Sequence, residues 1–184
     1  MRIRYALPVA ILLGLGIASL AIASTRDHGK SKSNQTQFTA FLDGQDETPA
    51  VHTKGTGKLT LTINADNTMA YTLTYSGLNN PALAAHVHFG QPDVAGGIVF
   101  FLCGAPKPAC PPGTTTTATV TGTVAAADIL APAGQGLAAG DLAGTVQEMR
   151  AGLMYANIHT SSSPGGEIRG QLSSQGDQGD EDND

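Results

Sequence analysis

Three histidines stand in two short segments whose alternation suits them for shared chemistry. In Ala85-His86-Val87-His88-Phe89-Gly90, Val87 and Phe89 fall on one side of an extended strand and both histidines on the other. In Tyr155-Ala156-Asn157-Ile158-His159-Thr160, Ile158 takes one side and Asn157 and His159 the opposite one. Two imidazoles at i and i+2 can converge on one ion, and a third from a neighbouring strand completes a three-nitrogen site of a kind that suits copper or zinc. Glu167, Arg169 and Gln171 likewise alternate with Ile168 and Leu172. If the apolar members face the core, His86, His88, Asn157, His159, Glu167 and Arg169 lie on the outer face of their strands and, on adjacent strands, form one polar cluster. The candidate ligands are therefore His86, His88 and His159, with Asn157, Glu167 and Arg169 in support; Asn157 or Glu167 would orient a ring by accepting its second N–H.

The same residues also satisfy a plainer reading. Glu167 and Arg169, two apart on one strand face, form an ion pair that fixes the last hairpin, worth only about 0–1 kcal/mol if exposed. The histidines are then ordinary outward polar residues bonded to loop backbone. Whether His159 lies near His86, and whether the purified protein carries stoichiometric metal, separates the two. Hydrolase chemistry has less support, because the sequence has no Gly-x-Ser-x-Gly elbow, no His-Glu-x-x-His helix and no Cys-His pair with a free thiol. Asp46 and Glu47 are adjacent, so in a strand they point to opposite faces and make a poor acid–base pair. Capping or turn stabilisation is their expected role.

The elements that position these residues are strands. Glycine (23 residues), proline (10) and abundant threonine favour turns and β structure, whereas strong helix formers are sparse. Phe38, Ala40 and Leu42 fall at every second position, and Leu59, Leu61 and Ile63 alternate with Thr60 and Thr62. After the turn-rich Asn64-Ala65-Asp66-Asn67, Tyr71, Leu73 and Tyr75 alternate with Thr72 and Thr74, which predicts a hairpin. Further strands are expected at 84–89, 97–102, 117–124, 153–160 and 166–172. Between Gly140 and Gly152, Leu142, Val146 and Met149 fall at helical spacing behind Asp141 as cap, which predicts a single short helix. The fold class expected is all-β: an antiparallel Greek-key-like sandwich or barrel of about eight strands with one short helix.

Around this body, at 37–173, the ends differ in kind. Arg2 and Arg4, the uncharged run Tyr5–Ala23 and the small-x-small Ala21-Ile22-Ala23 read as a signal peptide over 1–23, with an uncleaved anchor as the rival. Residues 24–36 carry no hydrophobic side chain and read as a flexible leader; 174–184 read as an acidic disordered tail. Five acidic residues of that tail, Asp177, Asp180, Glu181, Asp182 and Asp184, account for the whole net charge of −5. No basic patch for nucleic acid exists. Cys103 and Cys110, the only cysteines, flank a proline-rich loop; in an exported chain a local disulfide leads over a free or metal-bound pair, since six intervening residues do not match common zinc spacings.

Leu42-Asp-Gly-Gln-Asp-Glu-Thr-Pro-Ala50, Ala85-His-Val-His-Phe-Gly90, Tyr155-Ala-Asn-Ile-His-Thr160 and Pro164-Gly-Gly-Glu-Ile-Arg-Gly-Gln-Leu172 together resemble the CHRD domain, the module first described in chordin. The resemblance covers about 37–173. It implies an extracellular β-rich module, found in animal regulators of secreted growth factors and in many bacterial exported proteins, and it implies no reaction. The chain is similar to the bacterial single-domain versions, which lack the Cys-rich domains flanking the module in chordin, so growth-factor binding does not carry over. The His-Val-His triplet also resembles the copper strand of Cu/Zn superoxide dismutases. Those enzymes use six histidines and an aspartate for two metals; this chain has five histidines, of which His28 falls in the leader and His52 in a loop. The expectation is a secreted or extracytoplasmic module, in periplasm or at the cell surface. It binds an extracellular protein or surface ligand, has no catalytic activity, and has neither a nucleic-acid partner nor a membrane partner after signal cleavage. The alternative is a mononuclear copper or zinc protein with redox activity.

Overall fold

The computed structural model describes residues 35–174; the segment read as a signal peptide, most of that read as a leader and all but Ser174 of that read as an acidic tail lie outside the described residues. Nine strands form in chain order: β1 (Gln37–Asp43), β2 (Thr56–Ile63), β3 (Met69–Ser76), β4 (Ala82–Phe89), β5 (Gly97–Cys103), β6 (Ala118–Val124), β7 (Met154–Thr160), β8 (Ile168–Gln171) and the two-residue β9 (Ser173–Ser174). One α-helix, α1 (Leu142–Arg150), and a 3-10 turn at Ala126–Asp128 separate β6 from β7. The sheet order is β5-β4-β7-β8-β1-β2-β3-β6, with β9 beside β1, and every pairing is antiparallel. The sheet curls until its two ends nearly meet, and Tyr71 Oη donates to the Leu102 carbonyl at 2.7 Å, joining β3 to β5 across the seam. This barrel-like, all-β architecture with one helix is the one the alternation predicts.

Period-two patterning decides what fills the barrel. Phe38, Ala40 and Leu42 of β1, Leu59 and Leu61 of β2, and Leu73 and Tyr75 of β3 are buried in one core with Val87, Phe100, Ala156, Ile158 and Ile168. Burying such side chains contributes about 1.5–3 kcal/mol each. The helix covers one end: Asp141 Oδ1 caps the Gly144 amide at 2.8 Å, Val146 and Met149 face inward, and Gly152, at φ +73°, ends the turn. Gly170 of β8 holds no side chain because a Cβ there would strike the Phe41 carbonyl oxygen of β1. That close approach is where β8 packs against β1.

Cys103 and Cys110 are joined, closing the loop that follows β5. Chain entropy sets the worth of so short a loop at roughly 2–3 kcal/mol, and the prolines that already restrict the unfolded loop lower it. We therefore expect Cys103→Ala/Cys110→Ala to lower unfolding stability by about 1–2 kcal/mol in urea with the β spectrum retained. A loss of all folded signal would mean that the bridge organises more than this loop.

Candidate metal centre

The inner face of β4, β7 and β8 belongs to the core, and the register lines up the opposite face. His86 stands opposite Asn157, and Asn157 opposite Arg169; His88 stands opposite Tyr155, and Tyr155 opposite Gln171; His159 stands opposite Ala84. Sequence alternation thus assigns the sides correctly. The outer face is not a solvent face, however. His86 is 6% exposed, His88 7%, Asn157 3%, Arg169 3% and Glu167 0%. Segments 44–55, 90–96 and 161–166 fold over these strands and bond to them, so the cluster lies covered between sheet and loops, with His159 half-buried.

Backbone carbonyls fix the rings. His88 Nδ1 lies 3.0 Å from the Gly96 carbonyl oxygen and His159 Nδ1 lies 3.0 Å from that of Pro164. A carbonyl only accepts, so both Nδ1 atoms carry the proton and both Nε2 atoms are acceptors. The His159 Nε2 lone pair accepts from His86 Nδ1 at 3.0 Å, which leaves the lone pairs of His86 Nε2 and His88 Nε2 bare. The ring-orienting role expected of Asn157 or Glu167 falls to these carbonyls instead. His86 Nε2 and His88 Nε2 are buried with no hydrogen-bond partner. One ligand nitrogen from each histidine lies within 4.8 Å of the others. Imidazoles binding one ion at about 2.0–2.1 Å sit roughly 3.4 Å apart, so closure of about an ångström forms the site. His159, the least buried of the three, would make it by exchanging its bond from His86 Nδ1 for the ion.

Electrostatics favour the ligating form. Burial, then the neighbouring His159 and His88, pushes His86 down to about 3. Burial likewise lowers His88 to about 4 against the opposing Gly96 bond, and it lowers His159. All three are neutral at neutral pH. Phe101 stands edge-on to His86 at 4.5 Å, and Tyr155 stacks on His88 with centroids 4.9 Å apart. The Arg169 guanidinium covers the other Tyr155 face at 3.5 Å.

The supporting residues divide. Glu167 and Arg169 form no ion pair among the described residues, contrary to the plainer reading. Glu167 Oε1 accepts from Thr53 Oγ1 and the Asn79 amide, and Oε2 from Thr160 Oγ1, which ties three loops together beyond the histidines. Arg169 donates to Thr48 Oγ1 and the Gln91 carbonyl. Loop partners more than 75 positions away in sequence win because they close over both side chains, whereas residues at i and i+2 merely share a face. Asn157 does join the site, and it brings one residue that sequence reasoning set aside. Its Nδ2 donates to Glu47 Oε1 at 2.8 Å, and Glu47 is buried, with its carboxyl pushed up to about 7 by desolvation against the pull of Arg169. Treating 46 and 47 as strand neighbours hid it, since the two lie in a bend after β1. The usable signal was their place inside the Leu42–Ala50 motif.

These features define a class: a β module, stapled by a local disulfide, with a covered histidine cluster on two adjacent strands, β4 and β7. The chain belongs to the CHRD domain family, whose model matches residues 38–172 and so takes in every residue of the cluster. It matches no curated protein and no solved structure.

Two expectations follow from the buried charges. Between about pH 4.5 and 6.5 the unfolded chain protonates His86 and His88 while the native state does not, so native stability rises with pH there. Glu47 acts in the opposite sense between about 4.5 and 7, because its native carboxyl holds a proton that the unfolded one has lost. With His159 lowered in the same sense, the imidazoles outweigh the single carboxyl, so stability should rise with pH, and more steeply in Glu47→Gln, where the opposing group is gone. Urea unfolding at three pH values measures both slopes; a flat wild-type profile would remove the buried neutral imidazoles. Separately, a Cβ on Gly96 would strike the Phe89 carbonyl oxygen, and the Gly96 peptide serves both His88 Nδ1 and Tyr155 Oη. Gly96→Ala should therefore turn the His88 ring, seen as a changed imidazole NMR shift, at a cost of about 1–3 kcal/mol.

Proposed function

We propose that this CHRD domain is an extracytoplasmic metal-binding module that holds one copper or zinc ion on His86, His88 and His159, as a binding protein and not a catalyst. The carrying observation is the pair of buried, unpartnered nitrogens, His86 Nε2 and His88 Nε2, beside His159, whose Nε2 accepts from His86 Nδ1 and would exchange that bond for the ion. Leaving a buried polar atom unpaired costs about 1–3 kcal/mol, and a cation coordinated by both removes that cost. Imidazole-only donors suit copper and zinc. The export-type N-terminus and the disulfide support an oxidising location.

A second reading, a module that binds an extracellular protein or surface ligand, is favoured by the exposed apolar side chains of Phe41, at 56%, and Leu83, at 59%. Titration calorimetry with Cu(II) and with Zn(II) at neutral pH, on wild type and His88→Ala, separates the two. One ion per wild-type chain is expected, with affinity lower by about a hundredfold or more in His88→Ala. The variant should stay folded because Val87, on the core side of β4, keeps its packing. Equal and weak binding by the two proteins would leave the protein-binding module as the function.

A further inference from the structure

The ring nitrogens are not the only buried orphans on this face. Asn157 Oδ1 is also buried without a partner. Asn157 stands directly opposite His86 in the β4–β7 ladder and two residues before His159, on the same side of the sheet. Its amide is held in one sense: Nδ2 donates to Glu47 Oε1 at 2.8 Å, so Oδ1 is the end left without a bond. The backbone closes tightly around the pair. Gly166, at φ +134°, packs so near that a Cβ would strike Asn157 Nδ2 and Glu47 Oε1. If the pair served only to pin the 44–50 segment to β7, Nδ2 alone would suffice, and an unsatisfied acceptor on the face that also holds two unpaired ring nitrogens would be a pure cost.

Three protein ligands leave a zinc or copper ion with an open position, which water fills where the protein offers no fourth donor. A water there polarises and needs an acceptor for its protons. Resting on the metal-binding reading, we infer that Asn157, held in orientation by Glu47, accepts a hydrogen bond from a water in the fourth position of the ion, keeping that position exchangeable and open to small anions. Asn157 is then a positioning residue, and the class of exogenous ligand is a small monoanion able to displace water.

The test uses the full chain loaded with one equivalent of Cu(II), with bulk-water proton relaxation and azide titration as readouts. Wild type should enhance water relaxation, and azide should suppress that enhancement while a charge-transfer band appears. Asn157→Leu, similar in volume but without an acceptor, should still bind one copper yet take azide several-fold to about tenfold more tightly, because the competing water has lost its bond. Glu47→Ala, which frees the amide, should shift azide affinity the same way and carries the test if Asn157→Leu does not fold. Azide affinity unchanged or lowered in both variants overturns the inference. So does a wild-type copper form with no relaxation enhancement and no azide band, which would mean a position closed by protein while the three-histidine site stands. Failure of wild type to bind either copper or zinc overturns the metal-binding reading itself.

Discussion

Everything distinctive about this protein depends on a polar strand face being buried under loops. A half-solvated antiparallel sheet can leave its outer side chains to water. Here the segments after β1, β4 and β7 fold back over β4, β7 and β8, and each polar group beneath them must find a partner inside or remain unpaired at a cost. Most succeed: Glu167 is fully satisfied by Thr53, Asn79 and Thr160, and Arg169 by Thr48, Gln91 and the Tyr155 ring. The exceptions gather in one place, at His86, His88 and Asn157, with Gln171 Oε1 a further one on the same strands.

That distribution separates structure from function within a single motif set. Glu167 lies within reach of the histidines in sequence and face, yet its bonds are spent on joining loops, so it belongs to the scaffold. Glu47 comes from a bend 110 positions away from Asn157 and sits in the cluster through that one bond. Glycines make the closure possible. Gly96 and Gly166 lie where loop backbone meets the polar face with no room for a side chain, and Gly170 does the same between β8 and β1.

The side of each strand was legible in the sequence because alternation is a local property: Val87, Ala156, Ile158 and Ile168 went to the core and the histidines, Asn157 and Arg169 opposite them. The helix was legible from Asp141, the four-three spacing and Gly152, and the disulfide from compartment and count. What lies over a face was not legible, since alternation states which way a side chain points and nothing about a loop packed on top. For that reason the cluster read as exposed, Glu167 and Arg169 as an ion pair, and Glu47 as a turn residue. Ring tautomers were out of reach for the same reason, because the acceptors that set them, Gly96 and Pro164, are backbone carbonyls of loops.

Placing the orphan atoms opposite the core has an energetic consequence. A core defect would be felt by the hydrophobic contacts that hold the barrel, whereas unpaired nitrogens on the far side of β4 leave Val87 and Ala85 fully packed. The fold can therefore hold the histidines neutral and close together, with two ring nitrogens unpaired before any ligand arrives, loop carbonyls orienting two rings and His159 Nε2 orienting the third. Protonation offers no escape, since burial and mutual repulsion hold His86 and His88 far below the usual imidazole range. An occupant that satisfies such a site must accept lone-pair density, tolerate imidazole nitrogen and bring charge without bringing a proton. A divalent or monovalent transition-metal ion meets all three conditions.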